Sequence, residues 1–91
     1  MFKCVVQMFG LPREITDLQE VELQLKEGAT LKEFITALRN KIPSLEGTVI
    51  REGQLADFYT FYVNGHFYFG DRDIQLRNGD HVALLRVTFG G

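Results

Sequence analysis

Cysteine is almost absent from this sequence, and its scarcity excludes several kinds of site. The single cysteine, Cys4, rules out an intramolecular disulfide and any CxxC zinc motif. An iron–sulfur cluster is excluded as well, because it normally needs several cysteine ligands. Cys4 alternates with Phe2 and Val6 in an apolar run, so we expect a small buried hydrophobic side chain rather than a nucleophile.

The sequence also lacks an excess of positive charge and any long hydrophobic run. The 91 residues include 10 Lys and Arg against 12 Asp and Glu, a net charge of -2, and nucleic-acid binding needs a basic cluster. No stretch reaches the ~20 apolar residues of a membrane span, and the first residues carry no signal-peptide cleavage pattern. His66 and His81 have no metal-ligand spacing. We therefore expect a cytoplasmic protein without nucleic acid, membrane or metal.

Periodic patterns predict most of the secondary structure. Residues 20–26 alternate polar and apolar side chains, which is typical of a half-buried strand. Asn64-Gly65 is the strongest two-residue hairpin signal in the chain. For residues 44–56 we predict a loop with a short strand. The predicted strands are Phe2 to Phe9, Glu20 to Lys26, Asp57 to Val63, His66 to Phe69, and His81 to about Val87.

One helix is predicted after the turn at residues 27–29. Thr30 and Glu33 have the spacing of a capping box, in which each side chain accepts a hydrogen bond from the other's backbone N–H. Pro43 ends the helix. The apolar residues in between fall on one helical stripe, which consists of Leu31, Phe34, Ile35, Leu38 and Ile42.

The order of these elements predicts a single α+β domain over residues 1–91. One capped helix packed on a mixed sheet is the β-grasp arrangement, in which the first and last strands lie side by side at the centre. An α+β sandwich of another topology is the alternative that the element order leaves open.

Several short motifs along the chain occur together in one known family. They are Phe9-Gly10-Leu11-Pro12-Arg13-Glu14, Thr30-Leu31-Lys32-Glu33, Val63-Asn64-Gly65, Leu76 with Gly79-Asp80 and Val82-Ala83, and the terminal Gly90-Gly91. On these residues the sequence resembles the MoaD/ThiS family of sulfur carrier proteins, which share the β-grasp fold with ubiquitin, and most closely its MoaD-like branch. It departs from that branch in one respect: MoaD-like tails often carry prolines just before the last residues, and residues 84–89 contain none.

The resemblance implies that the working group is the carboxylate of Gly91. An E1-like enzyme would adenylate it with ATP, and a sulfur nucleophile would convert it to a thiocarboxylate. A sulfur-accepting synthase subunit would then take the sulfur, in molybdopterin- or tungstopterin-type cofactor biosynthesis. The chain itself would be a carrier or a small non-catalytic subunit with no bound cofactor. Two consecutive glycines suit this role, because without Cβ atoms they form a thin and pliable thread.

The resemblance also implies which residues serve the partners. Residues 88–91 would form a flexible tail that ends in Gly90 and Gly91. By residue match, the partner-binding side chains are Phe9, Arg13, Phe67 and Leu85, and Arg86 and Phe89 flank the tail. The alternative for these side chains is an ordinary place in the core or at its rim.

Other functions remain open at this stage. A ubiquitin-like modifier would join Gly91 to lysines through an isopeptide bond, and a carrier for thiamin or another sulfur-containing product would use the same thiocarboxylate. A β-grasp interaction module with an incidental Gly-Gly is the third alternative.

Overall fold

The computed structural model describes residues 1–69 and 72–87, which form seven strands, one α-helix and one 3-10 helix. The predicted tail at residues 88–91, which includes Phe89, Gly90 and Gly91, lies outside the described residues. The elements are β1 (Phe2–Phe9), β2 (Glu20–Leu25), α1 (Leu31–Lys41), a 3-10 turn (Pro43–Leu45), β3 (Ile50–Arg51), β4 (Gln54–Leu55), β5 (Tyr59–Val63), β6 (His66–Phe69) and β7 (His81–Arg86).

Five strands form one mixed sheet in the order β2-β1-β7-β5-β6. β1 and β7 are parallel neighbours at its centre, and the other neighbouring pairs are antiparallel. β3 and β4 form a separate two-stranded hairpin. This is the β-grasp topology that the element order predicted. Among the described residues, no helix is long and apolar enough to cross a membrane.

The core lies between α1 and one face of the sheet. Alternate residues of β1, from Phe2 to Met8, are buried on that face, and Cys4 is fully enclosed, as its apolar neighbours predicted. The predicted helical stripe is buried opposite them. Phe34 of α1 meets Phe61 of β5 edge to face, with ring centroids 5.4 Å apart. The sheet's other face is open to solvent.

The capping box fixes where α1 begins. The Thr30 hydroxyl accepts a hydrogen bond from the Glu33 N–H at 3.3 Å, and the Glu33 carboxylate accepts one from the Thr30 N–H at 3.2 Å. A hydrogen bond from Lys26, followed by the one from Thr30, lowers the pKa of the Glu33 carboxyl. These contacts confirm the helix start that residues 30–33 predicted.

Two segments differ from the sequence prediction. The strand expected from Asp57 begins only at Tyr59, because Phe58 adopts the left-handed conformation with a φ of 74°. Residues 44–56 contain two short strands and the end of the 3-10 turn, rather than one strand in a loop. At Asn64-Gly65 both residues have positive φ, 50° and 85°, as the predicted tight hairpin turn requires.

Candidate functional site

The open face of the sheet carries a group of apolar side chains beside the end of β7. Leu85 is paired with Phe9 of β1 on one side and with Thr60 of β5 on the other. Thr60 is paired in turn with Phe69 of β6. Because directly paired residues project from the same face, these side chains form one row across the sheet.

A second row runs beside the first on the same face. Tyr62 of β5 is paired with Ala83 of β7 and with Phe67 of β6. The Tyr62 and Phe67 rings meet edge to face, with centroids 4.8 Å apart. We name the two rows together the aromatic patch, which consists of Phe9, Tyr62, Phe67, Phe69 and Leu85.

The four rings of the aromatic patch are exposed to solvent, and Leu85 is half-buried. The exposed fractions of Phe9, Tyr62, Phe67 and Phe69 are 51%, 39%, 56% and 46%. Beneath them Thr60 is fully buried, and its hydroxyl donates a hydrogen bond to the Tyr68 carbonyl at 2.9 Å. Contiguous exposed apolar surface of this kind marks an interaction site more often than scattered single residues do.

The chain leaves the sheet next to this patch. β7 ends at Arg86, one residue after Leu85, and the N–H of Val87 then donates to the carbonyl of Phe58 at 2.6 Å. Val87 is the last described residue before the terminal segment. The aromatic patch therefore lies beside the end of β7.

Phe58, which holds Val87, is a strained residue. Its φ of 74° is a left-handed conformation that a bulky side chain rarely adopts, at a cost on the order of 1–3 kcal/mol. Its side chain is 57% exposed. It lines a groove of about 440 Å³, here called the exit groove, together with Arg51, Glu52, Leu55, Tyr59 and Arg86.

Arg13 lies in the connection between β1 and β2. Its side chain is exposed and lines a second, larger groove of about 760 Å³ with Phe9, Leu18 and Glu20. This connection starts close to β7 at Gly10, which has a φ of 75°. A Cβ atom added to Gly10 would lie 3.7 Å from the Cβ of Arg86. Arg13 thus borders the same end of the sheet as the aromatic patch.

Cys4 carries the one thiol of the chain, and its surroundings keep that thiol protonated. Burial, and then the nearby Asp80 carboxylate, raise the pKa of Cys4 to about 11. Its thiol donates to the Asp80 carbonyl oxygen at 3.2 Å. A thiol with so high a pKa is protonated at neutral pH and cannot act as a sulfur nucleophile there.

The structure brings together most of the site residues predicted from sequence. Phe9, Phe67 and Leu85 share the open face, and Arg13 borders the same end of the sheet. Arg86 follows Leu85 and is paired with Tyr59, so it lies on the other side of β7. None of the five belongs to the buried core. Phe89, Gly90 and Gly91 lie outside the described residues. A role for any of them in partner binding stays a prediction.

Sequence reasoning missed two members of the patch, Tyr62 and Phe69. The signal for both was strand alternation. Tyr62 lies between the buried Phe61 and Val63, and Phe69 follows Phe67 by two residues, on the same face of β6.

Comparison with known proteins identifies a family whose sequence model matches this chain. Residues 6–91 match the sequence model described as the ThiS family. A search among curated proteins finds no match.

The fold is similar to several solved structures. The crystal structure of SAMP1 from Haloferax volcanii has a TM-score of 0.79 and 24% identity, over 98% of this chain and 99% of that chain. A putative molybdopterin converting factor subunit 1 from Pyrococcus furiosus has a TM-score of 0.70 and 23% identity, over 97% and 100% of the two chains. The BexX/CysO complex from Amycolatopsis orientalis contains a chain with a TM-score of 0.69 and 24% identity, over 97% and 99%. At these identities, the structural likeness shows the fold.

Proposed function

This chain belongs to the ThiS family, and from that premise we propose that it carries sulfur as a thiocarboxylate on Gly91. Members of the family are small ubiquitin-like carrier proteins rather than catalysts. The observation that carries the proposal is the family match itself, which extends through the terminal Gly90-Gly91 pair.

The chemistry requires an activated carboxyl group. A carboxylate is a poor acyl donor because its leaving group would be oxide. In the first step a carboxylate oxygen of Gly91 attacks the α-phosphorus of ATP, and pyrophosphate leaves. In the second step a sulfide nucleophile forms a C–S bond at the carbonyl carbon, and AMP leaves with the electrons of the broken C–O bond. ATP is a substrate of the activating enzyme, and the carrier contributes only its terminus.

The partners follow from these two steps. An E1-like adenylating enzyme must hold the carrier while the terminus enters its active site, and a sulfur-accepting synthase subunit must do the same later. The aromatic patch supports this role, because it gives both partners an exposed apolar surface beside the end of β7. Aromatic side chains are enriched among the residues that dominate binding energy at interfaces.

We further propose that the acceptor belongs to molybdopterin- or tungstopterin-type cofactor synthesis. The Phe9 to Glu14 segment, with Arg13 beside the patch, is similar to the MoaD-like branch. The fold likeness to a putative molybdopterin converting factor subunit points the same way. Transfer of sulfur from the loaded carrier to a pterin precursor by the cognate synthase subunit tests this assignment.

The first prediction concerns the loaded terminus. After incubation with ATP, a sulfide source and the cognate activating enzyme, the chain should gain about 16 Da as sulfur replaces oxygen. Methionine oxidation adds nearly the same mass, so the digest must resolve the site. Cleavage after Arg86 releases residues 87–91, which contain neither methionine nor cysteine. The added mass should lie on this peptide, which should also react with iodoacetamide.

An active preparation that leaves residues 87–91 at their original mass would contradict the sulfur-carrier proposal. An incubation without ATP is the control, and it should show no change. Residues 87–91 found attached to lysines of other proteins would instead establish the modifier alternative, because trypsin leaves that remnant on an isopeptide-linked lysine.

The second prediction concerns the aromatic patch. Phe67→Ala should weaken binding to the activating enzyme by about 1–3 kcal/mol, because Phe67 is the most exposed ring of the patch. The free energy of unfolding should fall by no more than about 1 kcal/mol, the scale of its edge-to-face contact with Tyr62. Calorimetric titration and denaturant unfolding of the same variant provide both numbers.

Tyr68→Ala is the matched control for this prediction. Tyr68 is adjacent on β6 but pairs with the buried Phe61, so it faces the core side of the sheet. It should lose stability while its affinity in the folded state is kept. Unchanged affinity in Phe67→Ala would show that the partners dock elsewhere.

A further inference from the structure

The sheet ends in two edge strands of different chemical character. Among the described residues, β2 and β6 are its outermost strands. β2 exposes the carboxylates of Glu20 and Glu22, and Glu22 lies 3.7 Å from the Lys3 ammonium. β6 (His66–Phe69) contains no proline and none of Lys, Arg, Asp and Glu. Charged side chains and proline normally keep an edge strand from pairing with another chain, so β6 lacks the protection that β2 has.

The hydrogen-bond pattern of β5 shows which backbone groups of β6 point outward. The N–H of Val87 bonds to the carbonyl of Phe58, which places the even-numbered residues of β5 in hydrogen-bonded pairs with β7. Their partners on β6, Phe67 and Phe69, are therefore in non-hydrogen-bonded pairs with β5, and their backbone groups point away from it. Within the described part of the chain, the N–H and C=O of Phe67 and the N–H of Phe69 have no hydrogen-bond partner.

The same two residues carry exposed rings of the aromatic patch. Phe67 and Phe69 both project from the open face of the sheet. β6 therefore offers an incoming strand unpaired backbone groups together with apolar side chains at alternate positions. Sheet edges bind extended segments in this way, since the backbone bonds give affinity and the alternate side chains give specificity. The segment that suits this edge is an uncharged strand with apolar residues two positions apart.

β6 of a second copy has that chemistry. When two β6 strands run antiparallel about a two-fold axis at Tyr68, Phe67 of each copy stands opposite Phe69 of the other, and each pair exchanges both backbone hydrogen bonds. Aromatic residues placed directly opposite each other stabilise a pair of strands. Because β6 has no acidic or basic residue of those four types, the two copies do not repel at this edge, whereas two β2 strands would bring carboxylates together.

We propose that β6 is a self-association edge, through which two copies join their five-stranded sheets into one continuous sheet. In this register the row from Phe9 through Leu85 to Phe69 continues into Phe67 of the second copy, and both open faces lie on the same side. β6 is only 4 residues long, so the interface is small and the dimer is transient, with a dissociation constant on the order of 10–100 µM. Self-association of this kind does not depend on the proposed carrier function.

Sedimentation equilibrium of the wild-type chain, from about 5 to 500 µM, measures the association. The apparent mass should rise from 10.4 kDa towards twice that value. Over the same range, the amides of Phe67 and Phe69 should exchange with deuterium about 3-fold more slowly or slower still, because they are hydrogen-bonded only in the dimer. The amides of His66 and Tyr68 should not change, because they bond to β5 at every concentration.

Phe67→Lys should raise the dissociation constant by more than about 10-fold, because it puts a charge on the edge of each copy and removes a ring from the contact. Phe67 is exposed, so the variant should stay folded, which a thermal melt checks. The wild-type measurements remain decisive if it unfolds. Gln24→Lys is the matched control. It adds the same charge at an exposed position of β2, on the opposite edge, and should leave the dissociation constant within about 2-fold of the wild type.

Each other result overturns the proposal. A wild-type chain that stays monomeric at the highest concentration shows that β6 pairs with a strand of another protein or with none. A dimer whose Phe67 and Phe69 amides exchange as in the monomer shows that the copies meet on another surface. Equal weakening in the two folded lysine variants shows that net charge, rather than the β6 edge, governs association. The carrier function is tested separately, by the mass of residues 87–91 after loading, and none of these results bears on it.

Discussion

Deletion of Gly91 is expected to reduce thiocarboxylate formation by more than about 100-fold, because activation depends on where the reacting carboxylate lies. The shortened chain still ends in a carboxylate, on Gly90, but that group stops about 3.4 Å short of its place in the activating enzyme. The melting temperature should stay within about 2 °C of the wild type, because terminal residues rarely carry stability. Among the described residues, the buried core runs from Phe2 to Leu84.

Mass spectrometry of residues 87–91 after loading, with a thermal melt of the same sample, measures both expectations. Gly91→Ala is the companion variant, because it keeps the length of the chain and adds only a Cβ. It should load more slowly than the wild type but faster than the deletion. If the deletion variant is loaded on Gly90 at the wild-type rate, activation does not depend on the length of the terminus.

Leu38→Ala should destabilise the fold by about 2–5 kcal/mol, which is a large part of the roughly 5–14 kcal/mol that a domain of this length has. Leu38 is fully buried in the middle of the α1 stripe. Its truncation leaves a cavity between the helix and the sheet that neighbouring side chains fill only in part. Denaturant unfolding measures the loss as a lower midpoint at an unchanged slope.

Asn40→Ala is the matched control on the same helix, because Asn40 is exposed. It should change the free energy of unfolding by less than about 0.5 kcal/mol. Alanine has a higher helix propensity than leucine or asparagine, so propensity cannot cause a loss in either variant. A comparable loss in both variants would therefore show that burial of the stripe does not govern the stability of α1.

Local patterns predicted those parts of the fold where local and tertiary preferences agree. The capping box at Thr30 and the hairpin at Asn64-Gly65 specify their geometry within a few residues, and the structure confirms both. Phe58 shows where prediction from local sequence patterns fails. Its neighbours favour a strand, but the hydrogen bond to Val87, which is distant in sequence, holds it in a left-handed turn.

The candidate site was predictable only in part for a related reason. Strand alternation shows which side chains face away from the core, but the sequence does not show which strands are neighbours. The row from Phe9 through Leu85 to Phe69 exists because β7 lies between β1 and β5. Tyr62 enters the same surface through its pairing with Phe67 across the hairpin. Such an assembled surface becomes visible only with the register of all four strands.

The central position of β7 also has a consequence for synthesis of the chain. Of the described strands, β7 is the last that the ribosome makes, yet it is the strand that joins β1 to β5. Until residues 81–86 emerge, the two halves of the sheet have no common neighbour, and the nascent chain cannot complete its fold. A product that terminates before residue 81 therefore lacks the strand that joins the two halves of the sheet. The fold thus couples assembly of the five-stranded sheet to synthesis of residues 81–86.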